Sequence, residues 1–386
     1  MKVRLSLIGA LMFVLVACGG AGKSEQAAGG SHFVTLLNLI PDTPDARVDV
    51  TMVDWARLRD ILGVNLPKDI NDDAAVGAFR KQVTSALNAN KDIRLPSSLT
   101  FISGISQYGS LVIEPSAIGY GFGHVDAEAY AGKPPETYQA IVGRFDPKAS
   151  AQAIASCSAC PAPEIGTHKD VKYYAWGGDF HQNLRGRLSA PAFDELGRGG
   201  RTAFFERYVL RTNWTAGIQQ MIAASKGEGS LGANADFKAM AEKLASLGVY
   251  EIYFSNLTQS SDYGLGLIGQ LGNASQIAEL RKVWQPALAE PRLRRYSLIG
   301  IGEGLDAKGP YLALVLVHPT EQAAKENVDL LEKRIAVAVQ SRGGKWSDVI
   351  TSTDLRADGK LLIGRLDGYR GFNEFIFAAE PLLLHE

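Results

Sequence analysis

The sequence predicts an α+β fold of two related lobes, each a sheet of antiparallel or mixed strands with helices packed on one face. Three observations carry this expectation. Short stretches in which apolar and polar residues alternate, as half-buried strands require, are interleaved with stretches whose apolar residues recur three and four apart, as amphipathic helices require. A strand–helix–strand unit near the middle of the chain recurs near its C-terminus. The residues beyond position 32 also outnumber the roughly 250–300 that one hydrophobic core organises, and 46% of the chain is hydrophobic, enough to fill two interiors. The expected lobes are 33–200 and 201–386.

The body opens with the apolar stretch 32–40, which the two prolines of Pro41-Asp-Thr-Pro44 end in a turn. Residues 47–53 alternate as a strand. Asp54 is placed to cap a helix over 55–62, and Gly63 to end it. A second helix is expected over 73–88, with Val76, Phe79, Val83 and Leu87 on one face. From 99 to 118 the pattern is strand-like. The glycines of Gly119-Tyr-Gly-Phe-Gly-His-Val-Asp126 lack the Lys-Ser/Thr and the wider spacing of a phosphate loop, so they read as strand or bulge glycines.

The first strand–helix–strand unit takes 138–145 as a strand, then a helix to Ser156 begun by the cap and first-turn proline Asp146-Pro147, then 172–176 as a strand. The second takes 311–317 as a strand, a helix from about 321 to 340, and 360–366 as a strand. Ala324, Val328, Leu331, Ile335 and Val339 form the inner face of that helix. Between the units lie a strand at 203–213, a helix at 214–225, a helix at 238–247 ended by Gly248, and a strand at 249–254.

Residues 1–17 have the charges Lys2 and Arg4 and then the uncharged run Leu5 to Ala17, the pattern of an export signal. That run is shorter than the roughly 20 residues a settled transmembrane helix needs. Leu15-Val16-Ala17-Cys18 resembles the lipobox of bacterial lipoproteins. The resemblance implies cleavage before Cys18 and lipid on its thiol, so the chain is expected to be anchored to a membrane at its N-terminus, on the extracytoplasmic side of a bacterial cell envelope. Residues 18–32, rich in Gly, Ala and Ser, form the expected tether. Gly19 leaves outer-membrane sorting open in a cell with two membranes.

A second resemblance rests on Ser230-Leu-Gly-Ala-Asn-Ala-Asp-Phe237, in the order Ser-Leu-x-x-Asn-x-x-Phe, together with the Pro41-Asp-Thr-Pro44 turn and the strand at Tyr311. These segments are similar to a group of exported bacterial proteins of unknown function that includes many lipoproteins. The likeness implies a mixed fold and an exported location, and no activity.

Lys plus Arg number 40 against 41 Asp plus Glu, a balance that gives no basic surplus for nucleic acid. Of the three cysteines, Cys157 and Cys160 are expected to pair as a structural disulfide, because export leads to an oxidising compartment. A redox-active pair and a zinc site with His168 and His181 are the alternatives. Against the first stands that the pair follows a helix instead of opening one, and against the second that its spacing matches no familiar finger. No Gly-x-Ser-x-Gly, His-Glu-x-x-His or EF-hand pattern is present. No catalytic residue, metal or cofactor is assigned, and the expectation leans away from an enzyme. The sequons at Asn213, Asn256 and Asn273 are accidental in a bacterial chain.

Aromatic and polar residues gather in 173–187 and in Gly197-Arg-Gly-Gly-Arg201, the kind of irregular loop that binds partners or sugars. Trp176, His181, Arg185, Arg187 and Arg201 are the candidate binding surface. The expected function is a membrane-anchored, non-catalytic binding or envelope-associated protein whose protein or small-molecule partner is unknown. Its alternatives are a solute receptor with a ligand cleft between the lobes, and an envelope enzyme.

Overall fold

The computed structural model describes residues 31–69, 72–93, 118–158, 160–183, 185, 199–258, 291–340, 344–369 and 381–386. The leader, Cys18 and tether through residue 30, the strand-like stretch 99–117, Arg187 and Asn273 lie outside these residues. The last two residues assigned to the tether belong to the body: Ser31 caps a helix that starts at His32.

Among the described residues the chain forms α1 (His32–Leu37), β1 (Val50–Asp54), α2 (Trp55–Leu62), α3 (Asp73–Ala89), β2 (Val125–Lys133), β3 (Glu136–Gly143), α4 (Pro147–Ser156), β4 (Glu164–His168) and β5 (Val171–Ala175). There follow β6 (Arg201–Phe204), β7 (Tyr208–Thr212), α5 (Thr215–Ser225), α6 (Ala235–Ser246) and β8 (Glu251–Ser255). The last elements are β9 (Leu298–Asp306), β10 (Gly309–Val317), α7 (Glu321–Val337), β11 (Ser352–Asp358) and β12 (Leu361–Asp367). The fold is α+β, as its interleaved periodicities require.

Local chemistry sets the helix ends. The Asp54 side chain accepts from Arg57 N, and Gly63, at φ 65°, ends α2 in the left-handed conformation that glycine tolerates. Asp146 accepts from Lys148 N beside Pro147. Thr320 accepts from Ala323 N at the start of α7. Asn234 accepts from Asp236 N and Phe237 N, which explains the Asn of the Ser-Leu-x-x-Asn-x-x-Phe segment as a cap, while Leu231 and Phe237 are buried. That segment also meets the first turn: Leu231 N donates to Ile40 O and Asp42 N to Gly229 O.

All twelve described strands join in one antiparallel sheet, in the order β11-β12-β10-β9-β8-β1-β2-β3-β7-β6-β5-β4. The expected boundary at 200/201 falls between β5 and β6, which are paired neighbours. The hairpin β6–β7 thus belongs with the strands before it. Its residues were expected to form a single strand, and a turn at 205–207 divides them.

The duplication is visible in topology. The path β8-β9-β10, helix, β11-β12 repeats the path β1-β2-β3, helix, β4-β5, with β6–β7 inserted between β3 and β5. The two halves meet through the equivalent strands β1 and β8, antiparallel, with Val50 opposite Phe254 and Val53 opposite Glu251.

Helices cover both faces of the sheet, not one. One face carries a continuous core from Tyr173 on β5 to Ile363 on β12, packed against α1, α5 and α6. The opposite face carries two patches, one beneath α2, α3 and α4 and one beneath α7. The reason is visible in β10, where Tyr311 to Val317 are all buried: side chains alternate across a strand, so an unbroken apolar run needs cover on both sides. On α3, Val76, Phe79, Val83 and Leu87 are buried as expected. On α7, Ala324, Leu331 and Ile335 are buried, but Val339 lies past the helix end and is 39% exposed.

Gly119 is set by packing. A Cβ there would lie 2.5 Å from Ser150 Cα on α4, and its φ of 80° favours glycine.

Candidate functional site

The loop after β5 is built inward. Trp176 is 2% exposed, stacks with Tyr174, and donates its indole N–H to Pro161 O at 2.9 Å. Arg201, 4% exposed, donates to Gly177 O at 2.9 Å and Gly178 O at 3.2 Å and pairs with Asp179 at 2.8 Å. Asp179 Oδ1 in turn accepts from Thr215 N and Thr215 Oγ1, capping α5 from outside, where the N-cap residue Trp214 supplies no side-chain bond. Backbone bonds from Trp176 N to Gly200 O and from Gly199 N to His181 O zip the two ends of the loop together. A Cβ at Gly199 would lie 2.2 Å from Trp176 O, so this glycine serves close backbone approach.

Of the five candidate surface residues, Trp176 and Arg201 are therefore buried supports. His181 and Arg185 are exposed, and Arg187 lies outside the described residues. A loop meant to bind through Trp176 or Arg201 would have to open first. Sequence alone could not separate these roles, because an aromatic or an arginine serves equally as a surface contact or as a buried anchor.

Cys157 and Cys160 are joined as a disulfide. Cys157 is the C-cap of α4. A thiolate there would face the negative end of the helix dipole, the opposite of the stabilisation that thiol redox enzymes use. Neither His168 nor His181 joins the pair, since no cluster of three or more metal-ligating residues occurs among the described residues.

Three buried carboxylates were not singled out from the sequence. Glu128 on β2, Glu251 on β8 and Glu303 on β9 are 1%, 2% and 3% exposed. They lie in one cross-strand row, Glu128–Val53–Glu251–Glu303, on the sheet face where the two apolar patches meet. Trp55 donates to Glu128 at 3.0 Å, and Tyr250 to Glu303 at 2.7 Å. Beside them, burial pushes the Tyr120 phenol up to about 12 and keeps it neutral. The available signal was a lone glutamate among apolar or glycine neighbours, as in Val249-Tyr-Glu-Ile-Tyr-Phe254 and Ile301-Gly-Glu-Gly-Leu305.

A second buried polar group surrounds His318, which is 1% exposed. Its Nδ1 faces Lys360 O at 3.2 Å and its Nε2 faces Asn327 Nδ2 at 2.6 Å. Asn327 also bonds both backbone groups of Arg294. Tyr296 packs edge-on between His318 and His385. Arg334 donates to Leu382 O and Pro291 O, which fixes the 381–386 segment against α7. These contacts tie elements together and form no arrangement of nucleophile, base and orienting group.

No described helix is long and apolar enough to cross a membrane. No family model matches the chain, and no curated protein matches it. Solved structures similar to it include crystal forms III and I of TP0453, at 10% and 8% identity. Their TM-scores are 0.34 and 0.35; each covers 86% of this chain, and 92% and 91% of TP0453 respectively.

Proposed function

We propose that this chain is a lipid-anchored protein of the bacterial cell envelope, held on the extracytoplasmic side through Cys18, whose body binds a partner without catalysing a reaction. The observation that carries the reading is the lipobox-like Leu15-Val16-Ala17-Cys18 followed at once by a Gly-rich tether. The Cys157–Cys160 disulfide supports it, because such bonds persist in oxidising compartments. The non-catalytic part is supported by the work the described polar groups do: Arg201, Asp179, Asn327, His318 and Arg334 each hold backbone or each other. A receptor that closes two lobes on a ligand is the weaker reading. Its hinge would have to act through the β1–β8 ladder, which joins the halves by backbone pairing.

The test compares the wild type with Cys18→Ala by intact mass and membrane fractionation. Lipid mass on the wild type and release of the variant from membranes are the expected results. A variant that still fractionates with membranes, beside a wild type without lipid mass, overturns the reading.

A further inference from the structure

Among the described residues the sheet ends in two edge strands, and they differ. β11 carries Asp354, Arg356 and Asp358, charges that guard an edge against pairing. β4, Glu164-Ile-Gly-Thr-His168, has no charge between its ends and leaves Ile165 64% exposed.

This exposed strand is held at both ends. At its tip, Lys169 and Asp170 form a two-residue left-handed turn at φ 48° and 64°. Lys169 pairs with Glu228, and Lys226 donates to Lys169 O, which ties the tip to the loop after α5. At its base stand the Cys157–Cys160 disulfide and the bond from Trp176 to Pro161 O. The Tyr173 ring lies where a Cβ of Gly166 would be, so the centre of the strand is kept bare. Holding a strand in its bound conformation lowers the entropic cost of docking on it.

We propose that β4 docks antiparallel on β4 of a second copy of this chain, centred on Gly166. The strand is self-complementary in that register. Glu164 falls opposite His168 of the other copy, Ile165 opposite Thr167, and Gly166 opposite itself, with no like charges facing. The isologous pair closes both β4 edges at once and joins the two sheets into one. A five-residue edge buries less than the roughly 1,200 Å² of a standard interface, so the association is weak and concentration-dependent. Two copies tethered to one membrane, under the reading above, would meet at raised effective concentration. The pairing in solution does not depend on that anchoring.

Sedimentation of the full chain in detergent across a concentration series, beside Ile165→Lys, tests the pairing. The wild type is expected to rise toward twice the chain mass, and Ile165→Lys to stay at the chain mass with an unchanged melting temperature. If Ile165→Lys does not fold, Thr167→Lys takes its place. Mild oxidation of mixed Ile165→Cys and Thr167→Cys chains is expected to give a mixed disulfide-linked dimer in excess of either homodimer. A wild type that stays at the chain mass throughout overturns the proposal, as does a dimer that survives the lysine variant without the mixed cross-link.

Discussion

His318 has one protonation state that its neighbours accept. Lys360 O can only accept, so Nδ1 carries the proton, and Nε2 is left to accept from Asn327 Nδ2. A second proton would point at an amide N–H with nowhere to turn. Burial lowers the pKa of His318, His124 and His385 from 6.5. Below pH 6.5 the unfolded chain takes up these protons before the folded chain does, so their contribution to stability is lost as pH falls. His32 works in the opposite sense: its bond to Asp54 raises its pKa, and its contribution fades as pH rises above 6.5. The His318 contribution is expected to be lost as pH falls from 7.5 to about 5.5. Urea melts of the wild type and His318→Gln across that range test this. The variant should be less stable at pH 7.5 and should show a shallower slope, by up to about 1.4 kcal/mol per pH unit. Equal slopes would mean that His318 titrates normally. Nothing in the sequence singles out His318, because its state is decided by Asn327 and Lys360, from other elements.

Helix α5 shows how an element can borrow its cap. Trp214 stands at the N-cap and offers no oxygen, and Asp179, on the loop after β5, bonds the Thr215 amide instead. Asp179→Ala is expected to cost about 1–2 kcal/mol, through the lost cap and a buried Arg201 left without its carboxylate. Chemical denaturation measures it, and a cost below about 0.5 kcal/mol would show that water replaces the cap. Elements whose signals are local were legible: α2 and α4 start at their expected caps, Asp54 and Asp146, and α3 and α7 start where expected, with Asp72 and Thr320 found as their caps; each cap acts within three residues. Strands without an apolar alternation were not. β4 and β11 end the sheet among the described strands and are largely exposed, and the glycines of β9 are matched to neighbouring strands, with Gly304 giving way to the Tyr311 ring.

At the scale of the whole molecule, the halves share backbone bonds as well as one continuous apolar face. Val50 to Val53 pair with residues of β8, and the core above them runs from β5 to β12 without interruption. The body is therefore expected to unfold in a single cooperative transition, with calorimetric and van't Hoff enthalpies equal and with fluorescence and far-ultraviolet dichroism melting together. Two separate transitions would restore the picture of independent lobes. The sequence suggested a repeat, and the topology bears out its order of elements. It gave no sign of where the copies join, because β1 and β8 are far apart in the chain and pairing between strands leaves no local pattern.

What the sequence by itself determined is what acts over a few residues: the mixed periodicity of an α+β body, the helix caps, and the spacing that lets Cys157 and Cys160 close. What only the tertiary structure decided is what acts across the chain. It set the helices on both faces, turned Trp176 and Arg201 inward, and aligned Glu128, Glu251 and Glu303 in one row. The physical reason is that a side chain's role follows from what is packed against it, and strand register brings together residues whose separation in sequence carries no signal.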